Sequence, residues 1–184
     1  MNQPSSVKRA AVSAACIALC YVLPIAFHSV GLGSTLSPMH IPVLLCGMLC
    51  GGGYGMFCGL AGPLLSSVLS GMPSATVLIS MVPELMIYGL VSGLGMKLLR
   101  TQNLFADVYI SLIAAMVLGR VAGGIASAVF YLGTGEAFSI AIWAATYFVG
   151  TIPGIISQLI LIPILIVTLM KAGIIPARYP NVSK

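Results

Sequence analysis

His40, Glu84 and Arg120 put an imidazole, a carboxylate and a guanidinium into stretches that otherwise offer no water. His40 lies in "SPMHIPVLLCGMLCGGGYG", residues 37–55, between Pro38 and Pro42 and ahead of an uncharged apolar run. Glu84 lies in "PELMIYGLVSGL", residues 83–94, and Arg120 sits inside a longer apolar run. Such groups can hold a polar solute through charge-assisted hydrogen bonds or relay a proton. An ionised side chain in hydrocarbon costs about 2.5 to 3.5 kcal/mol on insertion scales, so both charges are functional candidates. The alternative is a structural ion pair between Glu84 and Arg120 that ties two helices together.

The solvent that makes these residues costly follows from composition. Hydrophobic residues are 59% of 184 positions and charged residues only 6%, so the chain cannot cover a water-facing surface and is read as an integral membrane protein. Apolar runs fall at about 10–30, 38–51, 53–71, 77–98, 106–132 and 138–170, which predicts a single domain, an all-α bundle of six transmembrane helices. The second run is short, and Gly51, Gly52 and Gly53 join it to the third in a tight hairpin. The last run contains Pro153 and Pro163, which predict kinks or a broken start.

Basic residues then fix an orientation. Lys8 and Arg9 precede the first run, Lys97 and Arg100 lie where the fourth gives way to the fifth, and Lys171, Arg178 and Lys184 follow the sixth. The loops at 31–37, 72–76 and 133–137 on the opposite side carry only Glu136. The positive-inside rule places both termini in the cytoplasm. The net charge of +5 is scattered, so nucleic acid is not an expected partner. No G-x-x-x-x-G-K-[ST] stretch occurs, so the energy of any ATP-driven process has to come from another chain.

With that topology Glu84 falls roughly 10 Å, and Arg120 about 18 Å, from the outer helix ends, at ~1.5 Å per residue. Other polar or aromatic residues share these depths: Ser66, Ser67, Tyr131, Trp143 and Tyr147, with Gln158 deeper. Together they outline a pocket open to the outside. Trp143 also suits an interfacial belt, and His40 could cap its loop. Pro38 suits the first turn of a helix, which would hold His40 at the entrance. His28 and His40 flank one loop without a carboxylate or cysteine at ligand spacing, so neither a metal nor a cofactor is expected. The five cysteines read as small packing residues.

The first run opens "AAVSAACIALC", with Ala10, Ala14 and Ala18 spaced by four. This stripe suits close packing, either within the bundle or against another membrane protein. Gly89 with Gly93, and Gly119 with Gly123, repeat the spacing.

The alanine-spaced first helix, the 37–55 segment, "GPLLSSVLSGMP" at 62–73 and "PELMIYGLVSGL" at 83–94, in a chain of six runs, resemble a substrate-binding S component of an energy-coupling factor (ECF) transporter. The resemblance implies a subunit of a prokaryotic plasma membrane that captures a vitamin or related micronutrient. The loaded subunit would dock on a transmembrane T component driven by two ABC ATPase subunits and topple to carry its pocket inward. Ala10, Ala14 and Ala18 would be the docking stripe, and His40, Glu84, Arg120, Tyr131, Trp143, Tyr147 and Gln158 the substrate contacts. A metal-specific relative carries Met-His-Ile at its free amino terminus; here Met39, His40 and Ile41 are internal, so cobalt or nickel binding is not carried over. Two other readings compete. A small intramembrane enzyme would use Glu84 and His40 as acid and base, and a stand-alone secondary transporter would show internal repeats, which the two halves of the sequence lack.

Overall fold

Alternating glycine- and proline-bounded apolar runs become helices in the computed structural model, which describes residues 6–29, 31, 37–135, 139–145 and 150–172. In chain order they are α1 (Ser6–Ser29), α2 (His40–Cys50), α3 (Gly52–Ser70), α4 (Ala75–Leu98), α5 (Leu104–Thr134), α6 (Ile140–Ala144) and α7 (Ile152–Lys171). Five of them, α1, α3, α4, α5 and α7, are long and apolar enough to cross a bilayer. Large apolar side chains such as Val68, Leu98, Ile125 and Leu132 point outward, the arrangement expected where lipid replaces water.

The second predicted span is a different kind of element. Its 11 residues reach only about 16 Å at ~1.5 Å per residue, and nine of them are buried. α2 is therefore a core helix, enclosed by α1, α3, α4 and α7. It begins two residues after Pro38, with the His40 backbone N–H donating to the Ser37 carbonyl at 3.1 Å. The hairpin from α2 into α3 turns on Gly51 at φ 100°, a conformation that side chains rarely adopt. The sixth predicted span, 138–170, divides among the described residues into α6 and α7, and Pro153 sits at the start of α7 where its missing N–H is harmless.

Lipid gives helices no hydrophobic reason to associate, so contact has to come from shape. Gly47, Gly55 and Gly59 press onto the α4 backbone at Gly89 and Leu85, and an added Cβ at any of them would overlap it. α4 in turn packs on α5. α1 turns Ser13, Cys16, Cys20 and Pro24 inward, a spacing of three and four that makes one face. All five cysteines are buried, with the Ser13 hydroxyl 3.4 Å from the Cys46 thiol and the Cys20 thiol donating to the Met39 carbonyl at 3.7 Å. Ala10, Ala14 and Ala18 are exposed on a flank of α1 beside this inward face.

Candidate functional site

Where α1 ends and α2 begins, a cavity of about 880 Å³ opens between the α3–α4 loop, α4, α5 and α6. This volume suits a small organic molecule. Pro24, Met39, Met72, Val77 and Phe130 make much of its wall apolar. His40, Glu84, Arg120, Tyr131 and Trp143 line it, so five of the seven sequence-predicted contacts come together. Tyr147 lies outside the described residues, as does Glu136 of the neighbouring loop. Gln158 is 1% exposed and is not part of the cavity wall.

The charged residues occupy the deep end. His40, Glu84 and Arg120 are 6%, 5% and 4% exposed. The His40 Nδ1 lies 3.1 Å from the Ser37 carbonyl. A carbonyl only accepts, so Nδ1 carries the proton and Nε2 faces Glu84 Oε1 at 3.6 Å. The pair is ionic when His40 is protonated and is a pair of adjacent acceptors when it is neutral. The partner of Glu84 is thus His40, rather than Arg120 as the ion-pair alternative had it.

Arg120 is joined to this pair through Tyr88, a residue the sequence reading passed over. Its Nε donates to the Tyr88 hydroxyl at 3.1 Å, and Nη1 donates to Thr151 Oγ1 at 2.7 Å. The Tyr88 ring meets the His40 ring edge-on at 5.2 Å. Tyr88 is fully buried and its hydroxyl interacts with both Glu84 and Arg120. The signal was present: Tyr88 follows Glu84 by four residues, hence on the same face of α4. Thr151, just ahead of α7, ties that helix to α5 through the guanidinium.

Three glycines on one side of α5 make room for the site. An added Cβ at Gly119 would run into the Tyr88 ring, at Gly123 it would meet Glu84 Cβ at 3.2 Å, and at Gly124 it would meet Trp143 Nε1 at 2.8 Å. The Gly119/Gly123 spacing, which reads as helix packing, brings α5 onto α4 and also seats the side chains of Tyr88 and Glu84, while Gly124 seats Trp143.

Ser66 and Ser67 have another task. Their hydroxyls donate to the Met72 and Pro73 carbonyls at 2.8 and 2.9 Å, fastening the α3–α4 loop that forms the cavity rim. At the other end of the bundle, Asp107, not weighed in the sequence, is fully buried and accepts from the Thr101 hydroxyl at 2.7 Å. Lys8, Arg9, Lys97, Arg100 and Lys171 stand at the helix ends away from the cavity, and Arg9 lies over the Tyr54 ring at 5.6 Å.

Comparison with known proteins gives one family. Residues 8–175 match the family model described as ECF transporter, substrate-specific component. No curated protein and no solved structure matches the chain.

Proposed function

We propose, since the chain belongs to the family of substrate-specific components of ECF transporters, that its cavity captures a vitamin-like micronutrient from outside the cell for ATP-driven uptake. The family and the five long apolar helices make the chain a multi-pass membrane protein with a transport role. The observation that carries the proposal is the cavity itself. It is large enough for a vitamin-sized solute, apolar in most of its wall, and keeps its charged groups in the deep end. His40, Glu84, Arg120, Tyr131 and Trp143 are the proposed solute contacts.

The cavity end faces outward in this reading, because the basic helix ends are at the opposite pole and the positive-inside rule turns them to the cytoplasm. Counting α2 with the long helices gives the six-segment, single-domain subunit of a prokaryotic plasma membrane. Energy comes from two ABC ATPase subunits acting through a T component. The face presented to the T component is the stripe of Ala10, Ala14 and Ala18, supported by its exposure on α1. Small side chains there let another helix approach closely.

The test is mass spectrometry of small molecules released from the protein purified from its native membranes, followed by titration of the recovered compound. A single micronutrient, bound saturably and released unchanged, is expected. Conversion of the compound by the purified chain, or no retained or binding solute at all, overturns the proposal.

A further inference from the structure

α7 packs against α2 and α5, and its head is tied to α5 where Arg120 Nη1 donates to the Thr151 hydroxyl. Beyond that tie lies a crevice of about 180 Å³ between the two helices, lined by Ile113, Met116, Val117 and Arg120 of α5 and by Ile155 and Leu159 of α7. The α5 residues recur at steps of three and four and the α7 pair at a step of four, so each helix turns one face to the gap. The floor is buried, with Met116 and Arg120 only 5% and 4% exposed, whereas Ile113 and Val117 at the mouth are 53% and 48% exposed.

What can fill this crevice follows from where it lies. Ile113 and Arg120 stand about 14 and 24 Å along α5 at ~1.5 Å per residue, a depth that belongs to the hydrocarbon core of a bilayer. Lipid headgroups stay outside that zone. Water gains little there, because five of the six lining side chains are apolar, and an apolar hollow of ~150 Å³ stays dry and takes up apolar guests. A partner helix, ~10–12 Å across with its side chains, could cover the mouth but not enter. The mouth is continuous with the surface that the two helices present to lipid, where Ile110, Val121, Ile156 and Ile160 are exposed around it. We propose that the crevice binds the end of a lipid acyl chain, laid over Met116 and against Arg120. The gain is contact rather than escape from water: an unfilled void forfeits dispersion contacts along its lining, and a thin, flexible chain restores them. Arg120 lines the solute cavity as well, so the chain supports from the membrane side the same arginine that the cavity presents within the bundle.

The test is photolabelling of the full chain in nanodiscs of phosphatidylcholine, doped with a phosphatidylcholine that carries a diazirine near the end of one acyl chain. Adducts are located by mass spectrometry. Surrounding lipid labels exposed residues such as Ile125 and Leu132 whether or not the crevice is filled. Met116 is the diagnostic position, because it is buried and lines the crevice. Adducts at Met116 at a level near that of Ile125 are expected, with none at Leu112, which is fully buried on α5 and lies outside the crevice. Val117→Trp, which sets an indole over the mouth, should abolish the Met116 adducts and spare those at Ile125. Met116 as silent as Leu112 in the wild type overturns the proposal and leaves the crevice to a side chain of a partner helix. Met116 labelling that survives in Val117→Trp overturns it too, since the label then arrives by another route. Should that variant not fold, the contrast between Met116 and Leu112 in the wild type decides. Either result leaves solute capture standing, because the compound released from the native preparation tests that separately.

Discussion

Glycine is used in two ways in this bundle, and the two regions differ in what the missing side chain admits. In the seam of α2, α3 and α4, Gly47, Gly55, Gly59 and Gly89 admit backbone, joined at Gly47 by the Ser92 hydroxyl. On α5, Gly119, Gly123 and Gly124 admit above all side chains, those of Tyr88, Glu84 and Trp143, with the Glu84 and Ser80 carbonyls beside the first two. The first region is rigid because main chain cannot give way. The second shapes the wall of a cavity, where a displaced ring changes what fits before it changes whether the bundle holds. Identical spacing in the sequence therefore serves cohesion in one place and shapes the proposed solute cavity in the other.

The strongest challenge to this distinction is Gly89→Ala. Its Cβ would fall within the Gly55 main chain, so a loss of roughly 3 kcal/mol or more is expected, at the upper end for overpacking. Detergent unfolding followed by circular dichroism reads it, and a stable variant would remove the seam's special status. Arg120→Ala tests the other region at full strength. Solute binding should fall more than about 100-fold, since a charged group with two protein partners is lost, while the helical signal and monodisperse elution remain. Failure to insert would instead assign Arg120 to cohesion.

Gly124→Ala sharpens the contrast on a smaller scale. The indole of Trp143 has to leave its seat, which should shift tryptophan emission and weaken the solute by about 10-fold, with stability changed by less than about 1 kcal/mol. Ala14→Leu completes the series with a small residue that faces outward. Stability within about 0.5 kcal/mol of the wild type and unchanged solute binding are expected, as for other surface substitutions. Uptake by cells carrying the complete transporter should drop, and loss of solute binding in this variant would count against the exposed stripe as a docking face.

Much of the helix arrangement was legible because apolar runs and their glycine and proline boundaries answer to the bilayer, a strong and uniform constraint. α3, α4 and α5 lie within two residues of their expected limits. The long run at 138–170 was less legible: hydrophobicity continues across the break, and only Pro153 hints at it. In the site, charge in an apolar context drew attention to His40, Glu84 and Arg120, because their cost has to be met by partners. Tyr88 and Thr151 escaped because a hydroxyl is inexpensive in lipid by comparison and carries no comparable warning. The seats on α5 were visible as glycines, but their occupants are set by how α4 and α6 face α5, which only the fold decides.

The serine clasps on the α3–α4 loop bear on the motion that the resemblance implies for a loaded subunit. Ser66 and Ser67 already answer the Met72 and Pro73 carbonyls, so this stretch of irregular backbone brings fewer thirsty oxygens to whatever phase surrounds it. A brim that is self-sufficient in this way can graze the acyl chains without drawing water down with it. In the toppling that the resemblance implies, tilting such a cup through the membrane would be cheaper at its lip than the bare loop sequence suggests.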